Sequence, residues 1–221
     1  MTIVDLSVFH NIYKESFLIL IKMPKVCFIY TDTNGLHKTN DYVSTKNLYK
    51  FARLIAMHYM VGDYDKGKFT ESFRKDIILK PKTINFDSSA MKIHKITPDD
   101  ANIKGIDNSI AISTLAKDIE NVDIIVSFNL PFHLRAILVE CFRTAIPIEF
   151  NKKTLVCMAS FGHQYEYPKY AELTKAYKIN TKQPQLDQYK DLYFILYDEY
   201  KKGLSKKVTV VEEDDGCDFV D

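Results

Sequence analysis

The stretch that most constrains this chain is residues 26–36, VCFIYTDTNGL. Val26, Cys27, Phe28, Ile29 and Tyr30 run directly into a polar turn carrying Asp32, Asn34 and Gly35. A continuous apolar run that stops at a turn signal predicts a strand buried on both faces. Strands of that kind belong to parallel or mixed sheets covered by helices. The carboxylate at its end is then expected at the rim of the sheet. Residues 123–140, DIIVSFNLPFHLRAILVE, repeat the plan: an apolar strand, a turn containing Asn129, then a helix. Pro131 falls in the first turn of that helix, where its missing N–H costs little. The two strands are expected side by side, with their ends facing one cleft.

The intervening chain predicts a strand, a hairpin and a second strand. Residues 48–59 mix strand and helix signals, but Ile55, Met57 and Tyr59 alternate. Gly62-Asp63 and Lys66-Gly67 are read as the turn, and residues 69–79 as the returning strand. Residues 88–96 form a short helix or turn, and Thr97-Pro98-Asp99-Asp100 is a helix start. Gly105 breaks that helix. Asp107 or Ser109 then caps another, whose apolar positions are Ile110, Leu115, Ala116 and Ile119. Beyond the second buried strand, Leu134, Ile137, Leu138 and Cys141 give its helix one apolar face. A short strand follows at 154–158, a helix at 167–177, and a last helix at 184–202 that Gly203 stops. Tyr189, Leu192, Leu196 and Tyr200 lie near one stripe of the last helix. The order is β-β-β-α-β-α-β-α-α. It implies an α/β fold of ribonuclease H-like architecture: a mixed sheet, a three-strand meander plus further strands, with helices on both faces.

Three segments are expected. Residues 1–22 carry a rough helical apolar stripe and read as an amphipathic extension that packs on the body or on a partner. Residues 23–204 form the domain. Residues 205–221 form an acidic tail, expected to be disordered. The chain carries a net charge of +1, but its last eleven residues hold six acids and no base, so the remainder carries +7. A mildly basic body tolerates polyanions. Four cysteines, at 27, 141, 157 and 217, form no CxxC pair and no zinc spacing. The first three stand in apolar contexts as small buried hydrophobes. That pattern fits a reducing, intracellular compartment, cytoplasmic or nuclear. No apolar run is long enough for a membrane span, and no membrane partner is expected.

The motifs together resemble the DEDD family of 3′–5′ exonucleases, the DnaQ-like proofreading fold, over about residues 24–203. The family's first motif, Asp-x-Glu-Thr-x-Gly-Leu, is matched by Tyr30-Thr31-Asp32-Thr33-Asn34-Gly35-Leu36. Its Ile-His-x-Ile-Thr segment is matched by Ile93-His94-Lys95-Ile96-Thr97. Its second motif, His-Asn-x-x-Phe-Asp, is matched by Phe128-Asn129-Leu130-Pro131-Phe132-His133. A Pro-Lys-Leu helix is matched at Pro168-Lys169-Tyr170-Ala171-Glu172-Leu173, and the final acid by Asp191. The resemblance implies a nuclease cleft in which two Mg²⁺ or Mn²⁺ ions, about 3.5–4 Å apart, clamp the attacking and leaving oxygens.

It also implies where that chemistry is depleted. In the gapless register the first acid is Tyr30, the second Asp32 and the third His133, while Asp191 is retained; a shifted register makes Asp32 the first acid and Asn34 the second, and still loses one. The general base falls at Leu186 or Asp187. Asp32 and Asp191 are therefore the candidate catalytic and metal residues, as vestiges, and Asn129 and His133 the candidate substrate contacts. Two carboxylates in place of four leave two divalent ions short of hard oxygen ligands. Each residue also has a plainer role: Asp32 as a turn former, Asp191 as a solvated helix acid, Asn129 and His94 as turn residues, and His133 as a polar contact. His37 and His58 have no partner visible in the sequence. Two functions follow. One is an exonuclease-fold protein without catalysis, binding nucleic acid or holding a protein partner through the N-terminal extension or the acidic tail. The other is a metal-dependent 3′–5′ exonuclease with an atypical site.

Overall fold

A computed structural model describes residues 25–65, 67–80, 85–160 and 168–202. The expected extension at 1–22, the tail at 205–221 and the stop at Gly203 lie outside the described residues. The strands are β1 (Lys25–Thr33), β2 (Leu54–Asp65), β3 (Lys68–Ile78), β4 (Ile124–Ser127) and β5 (Thr154–Cys157). The helices are α1 (Ser88–His94), α2 (Pro98–Lys104), α3 (Asn108–Asp118), α4 (Leu130–Thr144), α5 (Tyr170–Ala176) and α6 (Gln185–Lys201). The sheet runs in the order β3-β2-β1-β4-β5. β1 pairs antiparallel with β2 and parallel with β4, β2 pairs antiparallel with β3, and β4 parallel with β5. This is the expected mixed sheet with β1 at its centre.

β1 is apolar on both sides because it has two cores to fill. Cys27 and Ile29 join Leu115, Leu134 and Ile137 on the α3/α4 face. Val26 and Phe28 join Leu192, Tyr193 and Leu196 on the α6 face. Period-two alternation along the strand sends neighbouring residues to opposite layers. Phe28 is met edge-on by Phe69 and Tyr193 with ring centroids 5.5 and 5.7 Å away, an arrangement that suits the ring quadrupoles.

The helix starts follow the expected chemistry. The Thr97 side chain accepts from the Asp100 N–H while the Asp100 carboxylate accepts from the Thr97 N–H, a capping box with Pro98 just inside α2. Asp107 caps α3, accepting from the Ser109 N–H. Lys153 closes the other end of α3, its ammonium donating to the carbonyls of Ile119, Glu120 and Val122 at 2.6–3.0 Å. Cys27, Cys141 and Cys157 are free and buried. Among the described residues no helix is long and apolar enough to cross a membrane.

Three local expectations need correction. Gly62 is not in the hairpin turn: β2 continues to Asp65, and the turn is tighter, with Gly67 at φ +86°. Gly62 lies at a bulge in the β2–β3 pairing, where a Cβ would stand 2.4 Å from the Phe69 ring and the Thr70 carbonyl. Glycine is required there by close approach. In α3, Ile110 is 59% exposed and the buried face is Ala111, Ile112 and Leu115. In α6, Tyr200 is exposed while Tyr193 and Tyr197 complete the buried stripe.

Candidate active-site cleft

The parallel pairing of β1, β4 and β5 brings their carboxyl ends to one edge of the sheet, where α/β folds build their clefts. β1 delivers Tyr30 and Asp32 there on the α6 face. The turn after β4 delivers Asn129 and His133. Asn129 adopts a left-handed conformation, φ 53° and ψ 49°, and makes no side-chain cap. Asn tolerates that region better than most residues, and here it turns the chain from β4 into α4.

His133, in the first turn of α4, faces β1. Its Nδ1 accepts the Thr31 N–H at 3.0 Å and lies 2.9 Å from the Thr31 hydroxyl. A nitrogen that accepts a backbone N–H cannot itself carry a proton in the neutral ring, so Nε2 holds it. The ring also hydrogen-bonds the backbone of Phe128. Burial pulls its pKa down to about 4, against the opposing pull of the Asp32 charge, so His133 is neutral at pH 7.

His37 and His94 are fixed in the same way. His37 Nδ1 accepts the Ala52 N–H at 3.1 Å, and Nε2 donates to the Phe132 carbonyl at 3.3 Å. His94 Nδ1 accepts the Ile96 N–H at 3.0 Å where α1 ends in left-handed Lys95. Its Nε2 is buried without a hydrogen-bond partner among the described residues. All three imidazoles thus hold backbone through Nδ1. None can turn that nitrogen to a metal without releasing an N–H group.

Asp32 is engaged by a residue that the motifs do not include. His58, on β2, lies opposite Tyr30 in the β1–β2 register and opposite Asp76 in the β2–β3 register. Its Nε2 stands 3.0 Å from Asp32 Oδ2 and its Nδ1 2.5 Å from Asp76 Oδ1. Both ring nitrogens face carboxylates, so both act as donors, which requires the imidazolium. Burial alone would lower the His58 pKa, but the bonds and charges of Asp32 and Asp76 leave it raised. The ring stacks on Tyr30 at 4.4 Å and 11°, a cation on an aromatic face. Tyr189 meets Tyr30 edge-on from α6. Burial, then the Asp32 charge, pushes the Tyr30 phenol well up, so it stays neutral. The signal for His58 was latent in β1–β2 pairing, which alternation alone cannot register.

Asp191 looks elsewhere. Its Oδ2 accepts from the Gln183 amide at 2.7 Å and its Oδ1 lies 3.5 Å from the Lys190 ammonium. Leu186 is buried. Asp187 is held by both terminal nitrogens of Arg74 at 3.0 and 3.1 Å, which keeps its carboxyl below the usual range. Among the described residues no three His, Cys, Asp or Glu side chains stand as a metal-holding group.

These donors do not fit a pair of hard divalent cations. Two such ions take many oxygen ligands, most of them anionic. The positions that the motif resemblance matches to four acids hold a neutral phenol, a carboxylate bonded to an imidazolium, a neutral imidazole turned to the backbone, and a carboxylate paired with an amide and an ammonium.

The fold is ribonuclease H-like and is similar to that of exonuclease I structures. Product-bound exonuclease I superposes with a TM-score of 0.62 at 15% identity, over 82% of this chain and 44% of that one. The zinc-bound form of the E. coli exonuclease I–single-stranded DNA complex gives 0.59 at 13%, over 82% and 42%. E. coli exonuclease I with a dT13 oligonucleotide gives 0.59 at 14%, over 82% and 42%. The chain thus spans less than half the length of these enzymes. No family model and no curated protein sequence matches it.

Proposed function

We propose that this protein is an exonuclease-fold domain that binds nucleic acid without hydrolysing it, in a reducing, intracellular setting. The observation that carries the reading is the replacement of the cleft's negative charge. Tyr30 and His133 stand where acids are needed, and Asp32 is already neutralised by His58. Among the described residues the other acid beside Asp32, Asp76, is already bonded to His58. Leu186 cannot take a proton from water, and Asp187 is locked to Arg74. The basic body, +7 without its last eleven residues, and the oligonucleotide complexes of the structural neighbours favour a nucleic-acid ligand.

Fluorescence anisotropy of a labelled single-stranded oligonucleotide, titrated with the full chain in EDTA, tests the binding half. Binding is expected at low salt, with log K falling linearly as log salt rises. Absence of binding at low salt would contradict it and turn attention to a protein partner. Truncations lacking residues 1–22 or 205–221 would then lose that partner while keeping the fold.

A further inference from the structure

Four aromatic side chains converge on the α6 face at the carboxyl edge of β1 and β4. Tyr30 comes from the end of β1, and Phe128 directly follows β4. Tyr170 opens α5, and Tyr189 comes from α6. Buried Tyr189 is the hub: Tyr30 meets it edge-on with ring centroids 6.0 Å apart, and Tyr170 does so at 5.4 Å. Phe128 lies 5.2 Å from Tyr170, tilted by 59°. Tyr30, Phe128 and Tyr170 are half-buried, so each keeps part of its ring at the surface of the cleft. In the motif resemblance Tyr30 stands in place of an acid and Phe128 in place of a histidine.

Charge around this floor is the reverse of what a phosphate needs. The floor itself is aromatic, and the Asp32 carboxylate shares its face of the sheet, so a phosphate there would meet a like charge. The cations stand outside it. Residues 169–182 hold Lys169, Lys175, Lys178 and Lys182, all exposed, and one acid, Glu172. Glu172 is turned to the backbone, its carboxylate accepting the Lys169 N–H at 2.9 Å. Gln188 ties floor and lysines together. Its Oε1 accepts the Tyr170 hydroxyl at 3.0 Å, and its Nε2 donates to the Gln183 carbonyl at 2.8 Å. The loop carrying Lys182 is thereby held beside Tyr170, whose chain neighbour is Lys169.

We propose that this cleft seats an unpaired nucleobase on Tyr30, Phe128 and Tyr170 and leaves the phosphates to the lysines of residues 169–182. A two-metal nuclease does the inverse: its ions clamp the phosphate oxygens at the floor. The assignment rests on the nucleic-acid reading above and specifies which part of the strand enters. Stacking accepts any base, because every base has a π-face, and it is open to single strands, whose bases are free to turn outward.

The test is fluorescence anisotropy of the full chain in EDTA at one low salt concentration with two labelled strands of equal length: an all-thymine strand and the same backbone built from abasic sites. Their phosphate charges are equal, so the electrostatic part of binding cancels in the comparison. The wild-type protein is expected to bind the thymine strand about tenfold more tightly. Phe128→Leu and Tyr170→Leu keep apolar bulk and should each cut that preference at least about threefold, with abasic affinity unchanged. Tyr170→Phe keeps the ring without the Gln188 bond and should keep the preference. Replacing Lys175, Lys178 and Lys182 together by Gln should weaken both strands alike. Equal wild-type affinity for the two strands overturns the base seat and leaves the nucleic-acid reading standing, whereas no binding of either strand sinks both. A preference that persists in folded Phe128→Leu and Tyr170→Leu also overturns the seat. If neither variant folds, the aromatic ¹H–¹³C signals of Phe128 and Tyr170 in the wild type decide: the thymine strand should shift them and the abasic strand should not, and equal or absent shifts contradict the proposal.

Discussion

Two carboxylates in this molecule are neutralised in different ways. Glu140, on α4, is fully buried. It accepts from Arg53 Nε at 2.7 Å and Nη2 at 3.3 Å, from Arg143 Nη1 at 2.8 Å and from the Asn108 amide at 2.9 Å. Burial would raise its pKa, but those donors hold it below the usual carboxylate range. Asp32, at the cleft, is answered by one imidazole. A guanidinium keeps its proton at any pH a protein survives, whereas an imidazolium does not. The first arrangement is a permanent brace: it ties the loop before β2 to α3 and α4, and the Arg53 N–H in turn fixes the Asn34 side chain at 2.6 Å. The second is a charge balance that a proton can undo.

The largest test of this contrast is Glu140→Ala. It leaves two guanidiniums without their buried partner and should destabilise the protein by about 3–5 kcal/mol, read by urea denaturation. A loss under about 1 kcal/mol would mean that water replaces the carboxylate and that the brace is not one.

His58→Gln should cost less, about 1–2 kcal/mol at pH 6, because its partners are partly solvated. Its effect should depend on pH, whereas that of Glu140→Ala should not between pH 6 and 9. The groups facing His58 are Asp32, Asp76 and Tyr30. Its folded pKa is raised, so its contribution is fully present below the unfolded value of about 6.5 and lost as pH rises through the folded pKa. His133 has the opposite sign. Its folded pKa is lowered to about 4, so the unfolded chain takes up a proton that the folded chain refuses. Stability should therefore fall as pH drops from about 6.5 toward 4. Thermal midpoints across pH 4–8, below the range in which the buried thiols of Cys27, Cys141 and Cys157 add an alkaline slope of their own, should show both slopes in the wild type and only the acid slope in His58→Gln. An unchanged alkaline slope in that variant would break the assignment.

The smallest effect is expected at Asp191. Its side chain is 42% exposed, and its polar partners among the described residues are Gln183 and Lys190. Asp191→Asn should move stability by no more than about 0.5 kcal/mol. A shift above 1 kcal/mol would reveal a coupling to the cleft that these contacts do not carry.

Much of the fold was legible because it rests on local periodicity. The doubly buried β1, the capped starts of α2 and α3, and the apolar face of α4 follow from residue order alone. Gly62 misled because glycine marks both turns and close approaches, and only the opposing Phe69 ring distinguishes them. Ile110 misled because the face shared by the expected Leu115 and Ile119 runs through Ala111 and Ile112 at the start of α3. At the cleft, the motifs point to Tyr30, Asp32 and His133 but not to His58. That residue joins the site through strand register, a non-local quantity that hydrophobic pattern specifies only once both strands are paired.

The most direct test of the central claim is nucleotide release from a 3′-end-labelled single-stranded DNA incubated with the full chain in Mg²⁺ and, separately, in Mn²⁺. The expected result is a bound but intact strand in both. Metal-dependent release of nucleotides that Asp191→Ala abolishes would contradict it.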